Sequence, residues 1–147
     1  MNTWVRLLRA HASTTRAMNA ELLAEHGLTI NDFEALLHLS RAEEGRMRRV
    51  DLAEGLLLTA SGVTRLLDGL EAAGYVERAA CASDRRVVYA VITDEGREKL
   101  HAASQSHVVG VTSLLQERFD DEELEQFAEL LARLDGDESP VDADCSA

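Results

Sequence analysis

Leu58-Thr59-Ala60-Ser61-Gly62-Val63-Thr64-Arg65-Leu66-Leu67-Asp68-Gly69-Leu70-Glu71-Ala72-Ala73-Gly74 reads as a single helix with a defined start and stop. Thr59 supplies an N-capping hydroxyl, and Gly74 supplies the residue that ends a helix most readily. Val63, Leu66, Leu67 and Leu70 recur at i, i+3, i+4 and i+7, which gathers them on one apolar face. Thr64 and Arg65 fall off that stripe and point outward. Just upstream, Asp51 to Leu57 reads as a short helix burying Leu52, Ala53 and Leu56. Two helices separated by a turn of a few residues form a helix-turn-helix arrangement.

Downstream of Gly74 the period changes. Tyr75-Val76-Glu77-Arg78 and Val87-Val88-Tyr89-Ala90-Val91-Ile92 are β-rich runs around a polar tip, Ala80-Cys81-Ala82-Ser83-Asp84-Arg85-Arg86. They predict a two-stranded hairpin, and a hairpin directly behind a helix-turn-helix is a wing. Thr93 caps a long helix predicted to run to about Arg118, with Asp94 and Glu95 in its first turn. Asp120 and Glu123 open a last helix whose stripe is Leu124, Phe127, Leu131 and Leu134. On the N-terminal side, residues 2–25 read as a helix with Trp4, Leu7 or Leu8, His11, Thr15, Met18 and Leu22 at helical spacing. A second helix starts at Thr29, with Asp32 in the reciprocal capping position. It buries Ile30, Phe33, Leu36, Leu37 and Ser40 and closes at Gly45, before the basic run Arg46-Met47-Arg48-Arg49-Val50. The expected fold is mainly α with a small β-hairpin wing. It forms one domain over 1–135, followed by an acidic disordered tail at 136–147.

Composition narrows the function classes. Of the 147 residues 46% are apolar but only 4% aromatic, so Leu, Val and Ala must build the core. There is no signal-like apolar run and no stretch of membrane-spanning length, which predicts a cytoplasmic protein. Cys81 and Cys145 make neither a disulfide framework nor a metal knuckle. The histidines (11, 26, 38, 101 and 107) include no i, i+4 pair, and no metal or cofactor is expected. No nucleophile elbow or glycine-rich phosphate loop is present, which excludes the common enzyme classes. The net charge of −12 opposes nucleic acid on its face, but residues 120–147 hold eleven acids and one base. Residues 46–93 hold seven arginines against six acids, a net of +1. The acidic excess is therefore local, and a DNA-binding face is compatible with it.

Leu52-Ala53, the helix from Leu58 to Leu67, Leu70-Glu71-Ala72-Ala73-Gly74-Tyr75-Val76-Glu77-Arg78, Ser83-Asp84-Arg85-Arg86 and Ile92-Thr93-Asp94-Glu95-Gly96-Arg97 together resemble the multiple-antibiotic-resistance regulator (MarR) family. The order of helices extends the resemblance over nearly the whole chain. It implies a homodimer whose base is made by helices at 2–25 and 94–135, with Trp4, Leu8, Leu124, Phe127, Leu131 and Leu134 in the interface. DNA-binding lobes at about 46–93 would then span the half-sites of a pseudo-palindromic double-stranded operator. The resemblance also implies repression, and release by a small aromatic or phenolic ligand held between base and lobe.

On this reading the helix from Thr59 enters the major groove. Thr59 and Ser61 donate to phosphate, Gly62 admits a close backbone approach, and Thr64 and Arg65 face the bases. The Arg65 fork fits guanine O6 and N7. Arg85 and Arg86 reach the minor groove, where the family inserts the residue at Arg86, and Asp84 fixes the wing. Arg48 and Arg49 are candidate phosphate contacts. Ala79, Ala80 and Cys81 stand where many members carry basic residues, which predicts a shallow salt dependence. Cys81, near Arg78 and Arg85, is a candidate redox switch with Cys145 as a partner. Trp4, Asp51, Arg85 and Arg97 have the order of a urate-type pocket. The rival to a DNA-binding regulator is a winged-helix protein-interaction module.

Overall fold

The computed structural model describes residues 2–80 and 87–135. The chain divides into two compact units, residues 1–103 and the chain from Ser104 onward. The first unit holds α1 (Asn2–His26), α2 (Ile30–Arg41), β1 (Arg46–Arg48), α3 (Arg49–Gly55), α4 (Ala60–Ala72), β2 (Val76–Ala80), β3 (Val88–Ile92) and the start of α5 (Asp94–Gln116). The second holds the rest of α5 and α6 (Asp121–Asp135).

Local capping fixes where the helices begin. Thr29 Oγ1 accepts from Asp32 N at 3.1 Å while Asp32 Oδ2 accepts from Thr29 N at 2.9 Å, the reciprocal box expected from sequence. Thr59 Oγ1 accepts from Gly62 N at 3.1 Å, and Thr93 Oγ1 from Gly96 N at 3.0 Å. Asp120 and Glu123 exchange backbone-to-carboxylate bonds of 2.9 and 3.1 Å at the head of α6. Each cap satisfies amide donors that a helix start leaves without an internal acceptor.

The core of the first unit is assembled from α2, α3, α4 and the sheet, with Leu22 of α1 and Leu100 and Ala103 of α5 joining it. Leu36, Leu39, Leu52 and Val63 are fully buried. Each such side chain contributes about 1.5–3 kcal/mol by leaving water. On α4 the inward face is Val63, Leu67 and Leu70, with Leu66 half-buried, as its spacing predicts. On α2 the buried set is Phe33, Ala35, Leu36 and Leu39, while the expected Ile30, Leu37 and Ser40 are only half-buried, because neighbours pack on a further side of this helix. On α1 only Met18 and Leu22 are buried; the stripe from Trp4 to Leu8 is mostly exposed.

The sheet has three strands, in the order β1-β3-β2, all antiparallel. Its β2–β3 part is the expected hairpin, with Val76 opposite Ile92 and Ala80 opposite Val88. The third strand, Arg46–Arg48, lies outside the two-stranded expectation and pairs Arg46 with Val91 and Arg48 with Tyr89. The second helix also stops at Arg41 rather than Gly45. Glu44 and Gly45 take left-handed conformations (φ 56° and 66°) that turn the chain into β1. Helix α3 sits two residues earlier than its expected 51–57, because Leu57 adopts φ 52° and ends it.

Candidate nucleic-acid interface

The outer face of α4 and the start of α3 carry the predicted contact residues. Thr59, Ser61 and Arg65 are exposed, and Gly62 and Thr64 are half-buried. The Thr59 and Ser61 hydroxyls lie 3.2 Å apart at the head of α4, so one polar cluster marks its N-terminal turn. A Cβ on Gly62 would come within 3.2 Å of Thr59 Oγ1, so the glycine serves the cap as well as any backbone approach. Thr64 donates to the Ala60 carbonyl at 2.8 Å and accepts from Arg49 at 3.4 Å, which ties the start of α3 to α4. No carboxylate among the described residues pairs with Arg65 or Arg49.

The other described arginines of this region are differently placed. Arg48 grips Asp51 with both arms of its fork, Nε to Oδ2 and Nη2 to Oδ1, each at 2.7 Å. The Asp51 hydrogen bond and charge raise the Arg48 pKa above its ordinary value. In return, the Arg48 bond holds the Asp51 carboxyl below the usual carboxylate range, against a smaller opposing effect of desolvation. Arg46 pairs with Glu44 and lies 5.1 Å over the Tyr89 ring. Arg78 on β2 pairs with Asp68 and, at 3.1 Å, with Glu71 of α4. This clamp fastens the polar side of α4 to the sheet. Spacing alone does not assign Arg78 a structural role; the signal in the sequence is Asp68 and Glu71 at i, i+3, off the apolar stripe.

Behind α4 lies a cleft of about 340 Å³ between the start of α3 and the sheet. Its walls include Arg48, Arg49, Arg78 and Thr64 beside Val50 and Leu67. Among the described residues no group of three or more His, Cys, Asp or Glu side chains is placed to hold a metal ion. The His38 ring packs on Gly55 of α3, 3.1 Å from where a Cβ there would stand. Cys81, Asp84, Arg85, Arg86 and Cys145 lie outside the described residues. Of the interface candidates, Trp4, Leu8, Phe127, Leu131 and Leu134 are exposed and Leu124 is half-buried.

Comparison with known proteins gives this geometry a lineage. A sequence profile of the MarR family matches residues 26–87. The HTH-type transcriptional repressor YetL of Bacillus subtilis is 31% identical over 111 residues, a match spanning 76% of this chain and 66% of that protein. The crystal structure of AbsC, a MarR family transcriptional regulator from Streptomyces coelicolor, is 31% identical with a TM-score of 0.76, covering 92% of this chain and 94% of AbsC. Sco3205, a MarR family regulator of the same organism solved in complex with DNA, superposes with a TM-score of 0.82 at 26% identity, over 97% of this chain and 89% of its own. The chain therefore belongs to the MarR family of transcriptional regulators, which are not enzymes.

Proposed function

We propose that this chain is a sequence-specific regulator that binds double-stranded DNA as a homodimer and represses transcription. The observation that carries the reading is the outer face of α4. Hydroxyls of Thr59 and Ser61 crowd its N-terminal turn, and Arg65 is exposed one turn further on with no carboxylate partner among the described residues. Hydroxyls and a helix N-terminus suit phosphate, and an unengaged guanidinium suits a guanine edge. The relatives support it: Sco3205 was solved with DNA, and YetL is named a repressor. In this reading one domain spans 1–135. Residues 46–93 are the DNA-binding lobe, helices at 2–25 and 94–135 form the dimer base, and Asp84, Arg85 and Arg86 serve the wing. No described helix is long and apolar enough to cross a membrane. In this reading the protein would act in the cytoplasm, at its operator.

Release by a small aromatic or phenolic ligand completes the proposal. That ligand would sit between base and lobe; the cleft against α4, with apolar walls and three arginines, lies wholly inside the lobe and is a separate recess.

The test is selection of duplexes from a random pool by the purified protein, beside an Arg65→Ala, Arg86→Ala double variant. The expected result is a near-palindrome with half-sites about one helical turn apart, not recovered by the variant. A folded dimer that selects nothing at low salt would replace this reading with the protein-interaction module.

A further inference from the structure

Arg48 was expected to meet a phosphate, yet in the structure its guanidinium is already filled. Both arms donate to the two oxygens of Asp51, at 2.7 Å each. Two near-parallel N–H···O bonds to one anion are what two non-bridging phosphate oxygens also offer to an arginine fork. The pair stands at the junction of β1 and α3, one residue from Arg49, which reaches Thr64 on the DNA-facing helix. Both partners keep much of their side chains in solvent. Exposed ion pairs contribute little to stability, so an incoming phosphate can replace the carboxylate without dismantling the fold.

The pattern extends across the lobe. Of the five described arginines between residues 46 and 80, Arg46, Arg48 and Arg78 are held by nearby carboxylates. Arg46 also covers Tyr89, and Arg78 is tied by two acids, so both serve the packing of the sheet. Only the Arg48 pair combines a complete fork-to-fork match with a position beside the candidate contact face.

We propose that Asp51 is an internal surrogate for a DNA phosphate. It occupies the Arg48 fork in the free protein and must be exchanged for phosphate on binding, so it lowers the affinity and flattens the salt dependence of the lobe. The proposal rests on the DNA-binding reading above and adds to it a residue that tunes the grip. The ordinary alternative is an i, i+3 pair that merely steadies the first turn of α3.

The two are separated by a four-protein comparison: the full chain, Asp51→Asn, Arg48→Ala and the double variant, each confirmed folded by circular dichroism. Each is titrated against a fluorescent duplex of mixed sequence at several salt concentrations. Asp51→Asn is expected to bind several-fold more tightly at low salt. Its log–log salt slope should steepen by about one for each Arg48 newly free to meet phosphate. Both gains should vanish when Arg48 is also replaced. Equal tightening with and without Arg48 would reduce the effect to bulk charge and overturn the proposal. Unchanged or weaker binding by Asp51→Asn would overturn it too, the latter by showing that Asp51 holds Arg48 in place for DNA. If none of the folded proteins binds the duplex even at the lowest salt, the DNA-binding reading fails with it. Binding by all four without an Arg48-dependent gain removes this proposal alone.

Discussion

Gly96, in the first turn of α5, lies directly against the backbone carbonyl of Tyr75. A Cβ at position 96 would overlap the Tyr75 oxygen and stand 3.0 Å from its carbonyl carbon and 2.9 Å from Ile92 Cγ1. The same carbonyl accepts from Thr93 N at 3.1 Å, and Thr93 Oγ1 donates to the Gly74 carbonyl at 2.7 Å. Thr93 and Gly96 thus lock the start of α5 onto the turn that follows α4, and so help fix the angle at which α4 is presented.

Gly96→Ala is accordingly expected to destabilise the protein. Helix propensity alone would favour alanine by about 1 kcal/mol. The overlap here is with backbone, which cannot rotate away, and overpacking of this kind costs about 1–3 kcal/mol. We expect a net loss of up to about 2 kcal/mol, read as a lower urea midpoint at unchanged slope. An unchanged midpoint would mean that α5 shifts freely against Tyr75.

Leu57 offers the opposite case. It ends α3 in the left-handed region at φ 52°, with 93% of its surface exposed. Its amide donates to the Glu54 carbonyl at 3.1 Å and that of Leu58 to the Ala53 carbonyl at 3.0 Å, so the turn itself is well bonded. A leucine there carries a steric cost of about 1–2 kcal/mol, partly offset by the extra unfolded-state freedom of glycine. Leu57→Gly should therefore stabilise the protein by about 0.5–1 kcal/mol and raise the melting temperature by about 2–4 °C. A lower melting temperature would show that the Leu57 side chain makes a contact the fold depends on.

What was legible in the sequence follows from the range of the interactions. The caps at Thr29, Thr59 and Thr93 involve partners three residues away, and the α4 stripe is a property of one helix, so both could be read directly. β1 could not. Arg46-Met47-Arg48 has no strand-like composition, and it becomes a strand only because Tyr89 to Val91 lie open beside it. The two-sided burial of α2, which takes in Ala35 and Leu39, likewise depends on neighbours distant in sequence. At the site, Thr59, Ser61 and Arg65 are exposed as expected. Arg48 was visible as a cation near the interface, but its engagement with Asp51 depends on rotamers that spacing does not determine. The Arg78 clamp spans ten residues back to Asp68 and needed the packing of β2 beside α4.

The Arg48–Asp51 pair also predicts a pH response. Asp51 is held below the usual carboxylate range in the folded chain by its bond to Arg48, against a smaller effect of desolvation. A depressed native value means that the stabilisation is fully present above the unfolded carboxylate pKa of about 4. It is lost as the pH falls through the lower native value. Asp51→Asn should therefore lower stability slightly near neutrality and make its decline below about pH 4 less steep, so that the two curves converge in acid. A variant whose acid melting curve parallels that of the parent would show that the pair adds nothing in solution.

The last helix bears on assembly. In α6, Phe127, Leu130, Leu131 and Leu134 are all exposed, the last by 72%, while Phe127 stacks on Phe119 with ring centroids 5.6 Å apart. Leu124, Phe127, Leu131 and Leu134 fall along one face of a helix otherwise rich in acids, and this stripe is the face assigned to the proposed dimer. Leu131→Glu with Leu134→Glu should convert the proposed dimer to monomer in sedimentation at micromolar concentration. Each leucine would lose a burial contribution of about 1.5–3 kcal/mol, so the dissociation constant should rise on the order of 100-fold or more. Glu129→Ala, on the opposite face of α6, should leave the dimer intact. Both leucines are already exposed in the single chain, so the double variant should keep its helical circular dichroism while losing the partner. If it sediments as a dimer, the α6 stripe is not the interface, and the exposed Trp4 and Leu8 of α1 become the next face to test.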